Sequence, residues 1–248
     1  MTVELKKANY STLQNAIRLL NLFSIDQSEL SVTEIADELG IAKSTAHRIL
    51  ISLESEGFIT KEPKNNLYRL GISFLSLGNV ITKNMKIYKY SSNILQHIQK
   101  ATGETSGVMV LENEYAYVIN IEESHHPIHY STYIGQGEPV YRSSTGLAIL
   151  AFQPAKTINA IKEKAFIPAK DFNQKIDFIR SNGYYASIDE FYENFTSIAV
   201  PVRNGRGEVI AALAIAGPSE RILPKNIPGL AKTIISASEK FTKTLMFS

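Results

Sequence analysis

The stretch SVTEIADELGIAKSTAHRILISL, residues 31–53, carries two helical patterns separated by a glycine. Ser31 and Glu34 have the spacing of a capping box, in which the serine oxygen and the glutamate each engage an amide that a helix start leaves without a partner. The spacing predicts a helix beginning there, with Val32, Ile35, Ala36 and Leu39 on one side of it. Gly40 supplies the tight or left-handed turn that ends it, and a further helix starts at about Ala42 or Lys43. In that helix Ala46, Ile49, Leu50 and Leu53 repeat the buried spacing. The pattern is helix, short turn, helix.

Outward from this core, Leu13, Ala16, Ile17 and Leu20 give an earlier amphipathic helix, so three helices are expected to pack as one trihelical unit. Downstream, Gly57 stops the last of them. Two β-prone runs, Phe58 to Lys61 and Leu67 to Leu70, then flank Pro63-Lys64-Asn65-Asn66, which reads as a hairpin wing. With its apolar side turned inward, the helix at 42–50 presents Lys43, Ser44, Thr45, His47 and Arg48 on the other side. The second helix of such a motif enters the major groove, and these side chains suit that task. Arg48 and His47 are the expected base readers, because arginine can pair with guanine through two hydrogen bonds. Ser44 and Thr45 suit phosphate positioning, and Lys43 a phosphate contact. Polar residues on an exposed helix are often merely solvated. The wing favours the DNA reading, because Lys61, Lys64, Asn65 and Arg69 fall where a wing approaches the flanking backbone or minor groove.

The whole chain sets the frame. Its 248 residues favour two domains, and 44% hydrophobic with 20% charged residues is enough for a substantial core. The absence of cysteine removes disulfides, thiolate nucleophiles and sulfur-held metals, and agrees with a reducing, cytoplasmic location. Met1 to Lys7 lack the apolar run of an export signal, and Val209 to Ala216 is too short to cross a bilayer, so no membrane partner is expected. A net charge of +2 alone says little about nucleic acid, but Lys61 to Lys100 contains seven cations against the one acid Glu62.

The expected organisation is a DNA-binding domain at 8–71, with its helix-turn-helix at about 31–54, a helical linker at 72–85 and an effector domain at 86–248. Strands are expected at Thr105 to Leu111, Tyr115 to Glu122, Ile128 to Ile134, Ser197 to Val202 and Val209 to Ala216, with Asn204-Gly205 marking the hairpin between the last two. Helices are expected near 145–151, 157–164 and 171–182. A closing amphipathic helix at 225–247 runs through Leu230, Ile234, Ala237, Phe241 and Leu245.

These segments resemble the IclR family of bacterial regulators over nearly the whole chain. The resemblance rests on Leu13-Gln-Asn-Ala16, Ser31-Val-Thr-Glu-Ile-Ala36, Lys43-Ser-Thr-Ala-His-Arg48 and Tyr68-Arg-Leu-Gly71 in the first half. In the second it rests on Ala101-Thr-Gly-Glu-Thr105, Pro139, Ser143-Ser-Thr-Gly146, Gly183-Tyr184, Ser197-Ile-Ala-Val-Pro201 and Ala214-Ile-Ala-Gly217. It implies an α+β chain: a winged helix-turn-helix, a helical linker and a GAF-like α/β effector domain, assembled as homodimers or dimers of dimers on a double-stranded DNA operator. Many members are repressors, and activators occur.

The resemblance also implies an effector pocket at Ser144, Thr145, Ser187, Ser197, Ala214 and Ala216. Several relatives that take small carboxylates have an acid at the Ser187 position and serines at the last two, so this pocket is expected to be less polar on its strand side. Ser143 and Ser144 precede a short helix whose first amides, near Gly146 and Leu147, are expected to receive an anion, which makes a carboxylate-bearing effector the expected ligand. Arg142 either pairs with that carboxylate or points to solvent.

Other chemistry is thinner. His125, His126 and His129 beside Glu122 and Glu123 are suitable metal ligands, but the spacing is not diagnostic, and no metal or cofactor is expected. Ser187 and Ser197 have no recognisable histidine partner, and Gly135-Gln-Gly137 and Gly205-Arg-Gly207 read as turns. The expected function is a ligand-responsive transcription regulator, not an enzyme. The alternatives are a small-molecule enzyme with an appended DNA-binding module, and a constitutive architectural DNA binder.

Overall fold

The computed structural model describes residues 10–165 and 169–247. Residues 1–9, 166–168 and 248 lie outside that set, and with them the export-signal reading of Met1 to Lys7 and the outermost ends of the expected domains. The chain divides into two compact units between Thr82 and Lys83.

The N-terminal unit runs α1 (Thr12–Leu20), α2 (Val32–Leu39), α3 (Lys43–Ser55), β1 (Ile59–Lys61) and β2 (Tyr68–Leu70), and α4 (Ser73–Asn84) follows. At the start of α2 the Glu34 amide donates to Ser31 Oγ at 3.2 Å and the Ser31 amide donates to the Glu34 carboxylate at 2.7 Å. Hydrogen bonding from the Ser31 amide, and then from the Ser31 side chain, holds the Glu34 carboxyl below its ordinary range. Gly40 ends α2 with φ at 67°, and α3 starts after Ala42. A second capping box, Ser11 with Gln14, opens α1 and lies outside the sequence reading.

The core of this unit joins Leu19, Ile35, Leu39, Ala46, Ile49 and Leu50 to Ile59 and Tyr68 of the hairpin. Leu30 and Tyr68 exchange backbone hydrogen bonds of 2.9 and 2.8 Å, which fasten the hairpin to the segment ahead of α2. One expectation fails. Leu13 and Ile17, expected to face inward, are 71% and 52% exposed, while Asn15 and Leu19 take the buried side. Apolar residues lie on more than one side of α1, and the unit's core covers only the side centred on Leu19.

In the C-terminal unit α5 (Lys86–Thr102) precedes β3 (Thr105–Glu112), β4 (Tyr115–Glu122), β5 (Gly137–Pro139), α6 (Ser144–Leu150), α7 (Ala155–Ala165) and α8 (Ala169–Asn182). Then come β6 (Tyr185–Ile188), β7 (Phe195–Arg203), β8 (Val209–Pro218) and α9 (Ile227–Met246). The strands form one antiparallel sheet in the order β5-β4-β3-β8-β7-β6. Strand alternation gives the sheet two different faces. On one, Val108, Ile198, Val200, Leu213 and Ile215 pack with Leu95 and Ile98 of α5 and with Ile234 and Phe241 of α9. Burying each of these large side chains contributes about 1.5–3 kcal/mol. On the other, Ala199, Ala212 and Ala214 are small, and α6 settles on them, buried along its whole length. Gly146 permits a second close approach, since a Cβ there would lie 2.2 Å from the Val140 carbonyl oxygen.

The structure corrects the strand assignment in three places. Ile128 to Ile134 is not a strand; the edge strand is Gly137–Pro139, paired with β4. Two carbonyl groups of the irregular segment are taken by side chains instead of a ladder: Thr105 Oγ1 donates to Tyr130 O at 3.0 Å and Arg221 Nη1 to Ile128 O at 2.7 Å. The strand β6 lies outside the sequence reading. Asn204-Gly205 does lie between β7 and β8, but in a longer loop whose positive-φ residue is Gly207, closed by Asn204 N to Glu208 O at 2.9 Å.

Candidate DNA-reading face and effector cavity

On α3, Lys43, Ser44, His47 and Arg48 are exposed, whereas Thr45 is half-buried. Ser44, His47, Arg48 and Ile51 fall at i, i+3, i+4 and i+7 and so form one outward stripe. Arg48 also lines a groove between α1 and α3 with Thr12, Leu13 and Ala16, which sets it at the α1 edge of that stripe. In the wing, β1 and β2 pair Lys61 with Tyr68, and the Lys61 ammonium lies 5.7 Å from the centre of the tyrosine ring. Arg69 donates to Glu62 at 2.6 Å, and Asn65 donates to Glu29 at 3.2 Å while accepting from the Leu67 amide at 3.0 Å. Those two side chains are engaged within the unit, and Lys64 stands exposed at the tip.

In the C-terminal unit the small-residue face of the sheet leaves space above it. Thr105, Ala216, Ser197 and Ser187 form one row across β3, β8, β7 and β6, and Gly107, Ala214 and Ala199 form the next. Over these rows lies a cavity closed on the helix side by Ser143, Ser144 and Thr145. Its side walls are Tyr130 and Thr132 from the irregular segment, Glu138 from β5, and Phe191, Tyr192 and Phe195. The Ser144 and Ser197 hydroxyls are hydrogen-bonded to each other, which ties α6 to β7.

The polarity of the cavity is uneven. Tyr192 donates to the Glu138 carboxylate, and burial together with that contact raises its phenol to about 12. Burial, then the Glu138 charge, pushes the Tyr130 phenol up as well. Both phenols therefore stay neutral near pH 7. Among the described residues that line the cavity, Glu138 is charged and none is lysine, arginine or histidine.

Comparison with known proteins agrees with both halves. A family model described as the IclR helix-turn-helix domain matches residues 12–63, and one described as the bacterial transcriptional regulator IclR C-terminal matches residues 79–243. The chain belongs to the IclR family. It is 27% identical over 227 residues to a glycerol operon regulatory protein of Streptomyces griseus, covering 89% of each chain. It is 29% identical to the HTH-type transcriptional regulator XynR of Escherichia coli, over 85% of this chain and 87% of that one. Among solved structures, an IclR homologue of Microbacterium hydrocarbonoxydans complexed with 4-hydroxybenzoate has a TM-score of 0.83 at 22% identity, covering 96% of this chain and 100% of that one. The IclR protein of Thermotoga maritima gives 0.75 at 22% identity, over 94% and 98%.

In this IclR-family chain six of the expected pocket positions, Ser144, Thr145, Ser187, Ser197, Ala214 and Ala216, line one cavity. Two others do not. Arg142 is exposed and outside the lining, and Gly146 is packed against Val140. The anion device read from the sequence is also corrected: the Gly146 amide donates to Ser143 Oγ at 3.0 Å and the Leu147 amide to Ser143 O at 3.0 Å, so neither is free. Glu138, Tyr130, Thr132, Tyr192 and the β3 positions were missed. Those on β3 were legible from alternation, since Thr105, Gly107 and Met109 share one face; the others come from loops and a short edge strand. The residues 125–128 form bends rather than an extended run, with His129 Nδ1 2.8 Å from His126 O. Among the described residues no cluster of three or more His, Cys, Asp or Glu has the arrangement to hold a metal.

Proposed function

We propose that this protein is a transcription regulator, most simply a repressor, whose affinity for a double-stranded operator is shifted by a small organic effector held in the cavity of its C-terminal unit. The observation that carries the reading is the cavity itself, built at the pocket positions implied by family membership, in a chain whose other unit is a winged helix-turn-helix. The neighbour complexed with 4-hydroxybenzoate supports a fold able to hold a small organic molecule. The Gly146 and Leu147 amides no longer support a carboxylate head group, and Arg142, exposed and outside the lining, reaches the site only as a charge acting on Tyr192.

Lys43, Ser44, His47 and Arg48 are assigned to the major groove, Arg48 and His47 as base readers, with Lys64 and Lys61 on the flanking backbone. Thr45, Asn65 and Arg69 keep supporting roles. A homodimer is supported by apolar surface on α1 and at and just before the start of α4: Leu13, Ile17, Ile72 and Leu75 are 71%, 52%, 76% and 70% exposed. Two heads then meet a two-fold operator, and 72–85 serves as the linker. Regulation in place of catalysis is supported by the names of the relatives and by Ser197, whose described partner is Ser144 and not a base. A cytoplasmic location follows from such a role.

The test is selection of genomic fragments by the full chain, followed by footprinting. A protected, partly palindromic site is expected. Equal retention of all fragments would favour the architectural reading and overturn this one.

A further inference from the structure

We infer that the effector is a small uncharged polyol and not an organic acid, an inference that rests on the cavity being the effector site. Charge points that way first. Glu138 faces the cavity, none of the described lining residues is a cation able to receive a carboxylate, and Arg142, whose charge reaches Tyr192, is exposed outside the lining. An anionic ligand would meet like charge in a partly desolvated space, where such repulsion is stronger than in water. The amides left at the start of α6, those of Ser144 and Thr145, belong to a helix of seven residues and offer only partial charge.

Hydrogen-bonding capacity agrees. Of the lining hydroxyls, Thr105 already donates to Tyr130 O, Thr132 donates to Gln136 Oε1, and Ser144 and Ser197 bond each other, so what they still offer a ligand is mainly acceptor lone pairs, which suit the O–H groups of a polyol. The Glu138 carboxylate accepts from Tyr192 and keeps further acceptor sites for ligand O–H groups. An ammonium would find in the lining this one carboxylate to pair with, so an amine is the cationic arm of the test. Aromatic rings complete the match: Tyr130 is edge-on to Tyr192 and Phe195 at 6.2 and 5.6 Å between centres, a braced apolar wall for the C–H side of a polyol. Size sets the scale. The space open to water-sized molecules is about 60 Å³. That exceeds what one enclosed water needs, at least about 10–15 Å³, so the occupant is on the scale of a small organic molecule.

Three probes share one skeleton and differ in charge: glycerol, glycerate and 2-amino-1,3-propanediol. Binding of each to the full chain is measured by calorimetry and ligand-observed NMR at millimolar concentrations. Glycerol is expected to bind tightest, about tenfold or more ahead of glycerate. Glu138→Gln should narrow that gap, because the anion escapes the repulsion while glycerol loses a charged acceptor. Preference for glycerate or for the amine, a gap unchanged by Glu138→Gln, or no binding by any probe overturns the ligand class. Ala214→Leu, checked for a cooperative melt, separates the two levels. If it abolishes binding of a charged probe, the cavity stands and the class falls; if glycerol binding survives it, the site itself is wrong.

Discussion

Replacing Arg221 by alanine should destabilise the C-terminal unit well beyond what a surface ion pair contributes. Arg221 donates to both oxygens of Glu104 at 2.7 and 2.6 Å, and the Glu104 side chain is only 5% exposed. Removing the guanidinium leaves a carboxylate buried without its partner, which costs about 3–5 kcal/mol at fully enclosed sites. The Arg221 side chain is 29% exposed, so water partly reaches the pair, and about 2–4 kcal/mol is the discounted expectation. For a unit of this size that lowers the melting midpoint by roughly 4–16 °C. The chain has no tryptophan, and all of its 12 tyrosines except Tyr10 and Tyr68 lie in the C-terminal unit, so tyrosine emission follows this unit during the melt. Glu104→Gln in the Arg221→Ala background should recover part of the loss, because a neutral amide is cheaper to bury than an unpaired charge. Arg221 also donates to Ile128 O, just ahead of Tyr130 and Thr132 in the cavity wall, so effector affinity should fall as well. A loss within the roughly 0–1 kcal/mol of exposed ion pairs, or no recovery on adding Glu104→Gln, would refute the argument.

Three further outcomes concern the N-terminal unit. Arg48→Ala should weaken operator binding by about 1–3 kcal/mol more than binding to random DNA, measured by anisotropy with both duplexes; equal losses would make Arg48 a phosphate anchor. Lys64→Ala should lower affinity for all sequences and flatten the salt slope by about 0.9, so an unchanged slope at normal affinity would put the wing away from DNA. Ile17→Glu, on the exposed side of α1, should shift sedimentation from dimer toward monomer with the fold retained, whereas an unaltered dimer would move the interface elsewhere.

Local signals made most of this architecture legible. Ser31, Glu34 and Gly40 set the limits of α2 through bonds within a few residues, and Asn66, with φ at 58°, lies in the turn at the wing tip that Pro63 to Asn66 announced. The sheet was legible where hydrophobic alternation was strong, as in β7 and β8. It failed at Ile128 to Ile134, whose alternation mimics a strand but two of whose carbonyls are taken by Thr105 and by Arg221, 25 and 93 residues away along the chain. No local pattern could reveal those partners. The misplacement of Leu13 and Ile17 has a similar cause, because periodicity marks an apolar side without saying whether the same chain or another covers it. In the cavity, the residues contributed by the Ser143-Ser-Thr-Gly146 motif and by β7 and β8 were legible from family resemblance. Glu138, which gives the site its charge, and its partner Tyr192 meet only through tertiary folding from positions 54 apart.

The central claim is that occupancy of the cavity sets operator affinity, and the most direct measurement compares wild type with Ala214→Asp. Ala214 is 4% exposed on β8, opposite Gly107 and Ala199 in the cavity floor, so aspartate there would fill and charge the site. Operator affinity is titrated by fluorescence anisotropy with and without the probe that binds tightest in calorimetry, after a cooperative melt has shown that the variant folds. Wild type should change its operator affinity by about 5–150-fold on saturation, and the variant should bind ligand-free operator nearly as well but not respond. The same ligand response in both proteins would contradict the account.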